Sequence, residues 1–235
     1  MIPPAPPAYS LVIPAYNEED RIRGLLDQMA GTTGQYIVIC DGNDATPDIV
    51  ASFARAHPGL DLICLTFEHR LGKGGAIREG FAHAAGSRVG FMDADGSTSV
   101  CQMEELISHI NGADGVIGSR WLPGSVIPVR QGIARRLESR MFNLLVRLLF
   151  SLSFSDTQCG AKVFKKSAID AVVGDMVSTG FEFDVELLWR LSRKGFLVRE
   201  YPITWENQGA SRVKGTDSFR MLAALISLRL GGAGR

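Results

Sequence analysis

Short apolar runs alternate with amphipathic segments through the first 120 residues, and each of the first four apolar runs ends in a polar cluster. YSLVIPAY, QYIVIC, DLICLTF, RVGFM and GVIGS read as buried strands. Between them lie segments with helical spacing, such as Ile22, Leu25, Leu26 and Met29. Asn17 is placed to cap the first helix and Thr46 the second, with Pro47 at its first position. GGAIREGFAHAAG is the third helix, and Ser99 with Gln102 suits a capping box at the fourth. Strand followed by helix, repeated, implies an α/β fold with parallel pairing and right-handed crossovers. Ligands of such open sheets bind beyond the carboxyl ends of the strands. AYNEE, DGNDAT, EHRLGKGG and DADGS all fall there, so four clusters converge on one edge.

The second half differs. Residues 133–150 read as a long apolar helix, FEFDVELLWRLSRKG as a helix stopped by Gly195, and LVREYPITW as a strand. No repeat or low-complexity linker divides the chain, so its 235 residues are read as a single domain, 1–235. Lysine plus arginine equal aspartate plus glutamate at 25 each, so no global field favours nucleic acid. The four cysteines show no metal-finger spacing, which fits reduced thiols and a cytoplasmic setting. MIPPAPPAYS lacks the basic start and apolar stretch of a signal peptide, and no apolar run reaches the ~20 residues of a membrane span.

Asp93 and Asp95 stand one residue apart at the mouth of the fourth strand. If strand alternation continues, they point the same way and disfavour each other's charge. Either this is an aspartate turn with one residue capping the next helix, or a cation relieves the repulsion: a lysine or arginine, or a divalent ion (Mg2+ or Mn2+) completed by water and phosphate. Lys73 lies among Gly72, Gly74 and Gly75 at a helix start, which suits either a tight turn or backbone amides cradling an anion. Asp41 and Asp44 are either turn residues or, for Asp41, a partner for a base or ribose. Glu18 is either such a partner or a carboxylate favoured by a helix N-terminus. On the 133–150 helix, Arg136, Arg140, Asn143 and Arg147 fall on one stripe among leucines. That pattern fits a core helix with one solvated face, or a helix lying on a membrane surface. SFRMLAALISLRL is similarly apolar.

Together VIPAYNEE, GKGGAIREG, DADGST, VIGSR, DTQCGAKVF and FEFDVELL resemble the family 2 glycosyltransferases of the glycosyltransferase-A fold. Within that family the chain is similar to polyprenyl-phosphate hexosyltransferases, both dolichyl-phosphate β-glucosyltransferases and mannose synthases. The resemblance runs from about Tyr9 to Leu230. It implies a Rossmann-like, mostly parallel sheet flanked by helices, with C-terminal amphipathic helices. A nucleotide-sugar half would cover about residues 9–120 and an acceptor, membrane-facing half about 121–235. By position it implies a donor site of Pro14, Tyr16, Glu18, Asp41, Lys73 and Asp93, with Asp93 and Asp95 holding the metal. Asp95, Arg120 and Asp156 would act in catalysis, and Arg120, Arg135, Ser139, Arg212 and Lys214 would face the diphosphate and the acceptor.

This sequence departs from the pattern at Cys40, where many members carry an aspartate, and at Ser97, where mannose synthases often carry glutamine. DADGST resembles the glucosyl branch, which favours UDP-glucose over GDP-mannose. The anchor helix of many relatives does not appear, so membrane association is expected to be peripheral, at the cytoplasmic face. The implied reaction is metal-dependent, inverting transfer of a hexose from a nucleotide sugar to a polyprenyl or dolichyl phosphate. The acceptor phosphate is mostly ionised at neutral pH, its second pKa being about 6. No strong base is needed, and His57, His69, His83 and His109 are read as packing or surface residues. The alternatives are another donor, a non-lipid acceptor, or a non-catalytic nucleotide-sugar-binding module.

Overall fold

The computed structural model describes residues 7–128, 133–206 and 215–231, with backbone alone over 133–139 and 215–219. The elements of the first half run β1 (Tyr9–Ala15), α1 (Ile22–Met29), β2 (Gln35–Cys40), α2 (Thr46–Ala56), β3 (Asp61–Thr66), α3 (Gly72–Ala82), β4 (Arg88–Phe91), α4 (Val100–Ser108) and β5 (Gly115–Ser119). The second half adds α5 (Ile133–Phe150), β6 (Lys162–Lys165), α6 (Lys166–Asp170), α7 (Phe183–Arg193), β7 (Val198–Pro202) and α8 (Gly215–Gly231). The strands form one seven-stranded sheet in the order β3-β2-β1-β4-β6-β5-β7.

Pairing is parallel throughout except at β6, which runs antiparallel to both β4 and β5. Alternation in the first half implied parallel pairing and the resemblance a mostly parallel sheet; the one antiparallel strand comes from the second half. The reversed strand matters for the site, because a reversed strand begins at the edge where its parallel neighbours end. The segment leading into β6, Asp156 to Ala161, is thereby delivered to the carboxyl edge of β4 and β5.

Alternation along β1 sends Leu11 and Ile13 to one face and Val12 to the other, and all three are fully buried. The first face packs against α1, α2 and α4 through Leu26, Phe53 and Met103. The second packs against α3, α7 and the two long helices through Ile77, Phe183, Val146 and Leu225. Pro14 sits in an inner strand without breaking it. Val12 accepts from Met92 N at 3.0 Å, and pairing with β4 stops there. Pro14 faces the same side two residues on, where no strand asks for its missing N–H.

Two expected caps do not form. Asn17 has φ 55°, and its side chain accepts from Asn43 N at 2.8 Å instead of capping α1. Thr46 Oγ1 accepts from Glu18 N at 2.9 Å, leaving Ala45 at the cap of α2. In both places joining two neighbouring loops replaces capping one helix. The Ser99 cap forms, accepting from Gln102 N at 3.2 Å. Gln102 does not complete the box, because its Oε1 accepts from Thr204 N at 2.8 Å.

Candidate active site

β4 ends at Phe91, so Asp93 and Asp95 lie in the turn beyond it and strand alternation no longer governs them. Each finds its own cation. Lys73 Nζ sits 2.9 Å from Asp93 Oδ1, and an Arg21 guanidinium nitrogen is 3.9 Å from Asp95 Oδ2. Asp95 Oδ1 also accepts from Ser97 N at 2.9 Å, closing the turn. Gly160 lies directly under Asp93, and a Cβ there would overlap its carboxylate.

Lys73 is one link in a buried chain of charge. Its ammonium is also 3.4 Å from Asp184 Oδ2, on the first turn of α7. Lys162 Nζ is 2.5 Å from Asp184 Oδ1 and donates to the Cys159 carbonyl. Phe91 floors the chain, its ring centroid 5.8 Å from Lys73 Nζ and 5.3 Å from Lys162 Nζ. Burial works against charge at Lys73, but Asp184 and then Asp93 outweigh it and raise its pKa. Burial likewise opposes the Asp93 carboxylate, yet Lys73, then Lys162 and Arg120, hold it below the usual range.

The glycine run around Lys73 does not present an anion cradle. Asp41 Oδ2 accepts from Leu71 N and Gly72 N at 2.9 and 3.1 Å. The Thr179 carbonyl accepts from Gly74 N and Gly75 N at 2.8 and 3.3 Å. The amides of Leu71, Gly72, Gly74 and Gly75 at this helix start are thus spent inside the protein. The glycines serve close packing: a Cβ at Gly74 would lie 2.6 Å from Phe183 Cβ and 2.8 Å from the Ser178 carbonyl.

A second buried pair stands beyond β5. Arg120 Nε and one terminal nitrogen donate to Asp156 at 2.7 and 2.9 Å, and Arg120 N adds a third bond at 3.1 Å. Asp156 is 2% exposed, and burial alone would raise its pKa; Arg120 and then Lys162 lower it. Burial opposes charge at Arg120 too, and Asp156 raises it again. Glu200 on β7 fixes the loop by accepting from Ser155 N and Asp156 N at 2.8 and 3.0 Å. Trp205 lies 5.5 Å from the Arg120 guanidinium. Beside this pair, burial pushes the Cys159 thiol up to about 11.

Of the other predicted donor residues, Glu18 is 7% exposed and holds Arg21 in a two-bond contact at 2.7 and 2.8 Å. Tyr16 stacks under the Arg70 guanidinium, 4.0 Å from its ring centroid. Pro14 borders this group at the end of β1. Arg135 and Ser139 lie on α5 where backbone alone is described, and Arg212 and Lys214 lie outside the described residues. Sequence reasoning missed Arg21, Lys162, Asp184 and Glu200. Lys162 carried a legible signal, since a lysine within an apolar strand demands a buried counter-charge.

Among the described residues no three carboxylate, histidine or cysteine side chains gather as a closed metal cage. The partly open pair Asp93 and Asp95, with side chains 40% and 28% exposed, nonetheless suits a hard divalent ion. Such an ion commonly takes one or two carboxylates and completes its shell with phosphate oxygens and water.

A mostly parallel sheet with one reversed strand, and acidic turns beyond its carboxyl edge, is the arrangement of the glycosyltransferase-A fold. Glucosyl-3-phosphoglycerate synthase from Mycobacterium tuberculosis, in complex with Mn2+, uridine diphosphate and phosphoglyceric acid, superposes with a TM-score of 0.71 over 96% of this chain and 79% of that one, at 19% identity. The chain belongs to glycosyl transferase family 2, whose sequence pattern matches residues 10–173. It is 33% identical over 217 residues to glycosyltransferase AglD of Haloferax volcanii, covering 87% of this chain and 34% of that protein. It is 30% identical over 246 residues to the dolichyl-phosphate beta-glucosyltransferase of Saccharomyces cerevisiae, covering 94% of this chain and 74% of the yeast protein. The chain thus spans about a third of the first relative and about three quarters of the second.

Proposed function

We propose that this glycosyltransferase moves a hexose, with inversion, from a nucleotide diphosphate sugar to a polyprenyl or dolichyl phosphate. UDP-glucose is the favoured donor and GDP-mannose the next. The observation that carries this reading is the meeting of Asp93, Asp95, Lys73 and the Arg120–Asp156 pair at one edge of the sheet, where carboxylates for a cation adjoin fixed positive charge. The similarity to the yeast dolichyl-phosphate beta-glucosyltransferase supports the acceptor. On this reading the donor occupies the half up to about residue 120, and the acceptor meets the remainder.

Asp93 and Asp95 would hold Mg2+ or Mn2+. When bound, such an ion neutralises charge developing on the departing diphosphate. Pro14, Tyr16, Glu18 and Asp41 border the base and ribose. Arg120 offers the acceptor phosphate a guanidinium that is already oriented, because Asp156 holds two of its nitrogens and Glu200 holds Asp156. Asp156 is then a positioning residue, kept ionised by its partner. Arg135, Ser139, Arg212 and Lys214 are assigned to the acceptor side. The nucleophile is the ionised phosphate oxygen, so no general base is required. Three histidines have ordinary packing roles: His57 stacks on Phe53, His109 packs at a tilt against Tyr201, and His69 meets Phe67 edge-on.

The expected approach is peripheral, at the cytoplasmic face of a membrane. Met141, Leu144, Leu145 and Leu148 are exposed on one face of α5, and Ile226 and Leu230 on α8. None of the described helices is long and apolar enough to cross a bilayer. An exposed leucine face flanked by arginines suits a helix lying in the interface.

The test is purified chain with Mn2+ or Mg2+, a polyprenyl phosphate and a panel of labelled nucleotide sugars. Glucose transfer from UDP-glucose to the lipid is expected. Asp95→Asn should lower turnover by about 100-fold or more. A second arm replaces the lipid with 3-phosphoglycerate, the phosphorylated small acceptor suggested by the Mycobacterium tuberculosis enzyme. Transfer only to that acceptor would replace the lipid reading.

A further inference from the structure

Lys73 has two carboxylates to choose between and little freedom apart from that choice. Its helix start is clamped by Asp41 on one side and the Thr179 carbonyl on the other. Its ammonium bridges Asp93 at 2.9 Å and Asp184 at 3.4 Å. Asp184 is 2% exposed and is fixed from below by Lys162, which is itself fully buried. The second seat for Lys73 is therefore built into the fold. Asp93, the first seat, is the more open of the two and is one of the proposed cation ligands.

We propose that Lys73 is a resident counter-cation for Asp93, seated by Asp184 and Lys162, and that the site captures a divalent ion efficiently only together with the donor diphosphate. The proposal rests on the metal-dependent reading above.

The charge balance carries the argument. Asp184 already serves Lys162, so a Lys73 displaced from Asp93 would leave two ammoniums sharing one carboxylate. A bare divalent ion that takes Asp93 displaces the Lys73 ammonium and adds its own charge beside those two cations. Repulsion between cations a few ångströms apart in such a site opposes binding strongly. A divalent ion entering with a diphosphate sugar, which carries two negative charges, leaves the local total unchanged. Lys73 can then move onto Asp184 and the incoming phosphate without crossing an uncompensated state. Asp184 and Lys162 act here as positioning residues, because they hold the lysine and touch neither ion nor donor.

The experiment measures Mn2+ binding to the whole chain by electron paramagnetic resonance of the free ion: Mn2+ alone, with UDP, and with GDP. In the wild type, one of the nucleotides should tighten Mn2+ binding about tenfold or more, while Mn2+ alone binds weakly. Lys73→Met should tighten binding of Mn2+ alone by about tenfold and shrink the nucleotide effect. Lys73→Arg, which keeps the charge, should retain the wild-type pattern. If Lys73→Met fails to melt cooperatively, Lys73→Gln, polar and neutral at the same depth, takes its place. A neutral variant that binds Mn2+ alone no better than wild type overturns the proposal while the metal reading stands. A wild type that binds no Mn2+ with either nucleotide overturns both.

Discussion

Behind the partly open Asp93 and Asp95, the site is built from ionised side chains held out of water in pairs. Arg120 and Asp156 have side chains 17% and 3% exposed, and their fixed geometry gives the guanidinium its orientation. Breaking such a pair from one side costs about 3 kcal/mol or more, because the remaining charge stays buried alone. Asp156→Asn is the direct case. The folded pKa of Asp156 is lowered, so the stability it contributes is fully present above the unfolded value of about 4. That stability is lost as pH falls through the lower folded value. Guanidinium melts should show a gap between wild type and Asp156→Asn that is constant from pH 7 to about pH 5 and narrows below about pH 4. A gap unchanged at pH 3 would assign the cost to packing.

Between elements, α3 and α7 meet so closely that Gly74 has no room for a side chain, and the loop before α7 leaves none at Gly72. Glu186 on α7, fully buried, accepts from Ser178 N at 2.7 Å and Val177 N at 3.1 Å. That holds the loop whose Thr179 carbonyl takes the Gly74 and Gly75 amides. The glycines are thus an interface, and Lys73 is aimed by it. Gly74→Ala should cost about 1–3 kcal/mol through overpacking against Phe183. Urea denaturation measures this; an unchanged midpoint would return these glycines to the role of flexible turn. β6 is the other decisive element. Its reversed direction places Gly160 under Asp93 and aligns Lys162 with Phe91 in the pairing register.

For the molecule as a whole, one edge of the sheet holds charge and the exposed apolar face belongs to α5 and α8. The sequence placed Arg140, Asn143 and Arg147 on one stripe. In the fold Asn143 turns inward, donating to the Ser155 carbonyl at 2.8 Å and accepting from the Thr157 hydroxyl at 2.9 Å. Arg140 and Arg147 stay exposed and flank the leucines, with Arg140 5.0 Å from the Trp121 ring centroid. Apolar burial, worth about 25 cal/mol per Å2, should then supply most of the membrane affinity, with arginines adding a salt-sensitive part. Replacing Leu144 and Leu148 with Gln should reduce flotation with anionic liposomes by about tenfold or more, with the melting temperature nearly unchanged. Flotation equal to wild type would remove this face from the membrane reading.

Most of the strands and helices were legible because apolar periodicity is a local property, and burial on one face or two leaves a period in the chain. The convergence of AYNEE, DGNDAT and DADGS followed from parallel pairing alone. The partners of those residues were not legible. Asn17 and Thr46 look like caps in isolation, and only the neighbouring loop offers them a better bond. Asp93 and Asp95 looked like a repelling pair until the fold set Lys73 beside one and Arg21 near the other. Lys162 and Asp184 lie 22 residues apart in sequence and meet only because a reversed strand enters the sheet beside β4. The sequence by itself determined the layered architecture and the edge where chemistry gathers. The tertiary structure decided which charges neutralise which, because a buried ion pair depends on strand order and register, and neither is written in any local stretch of residues.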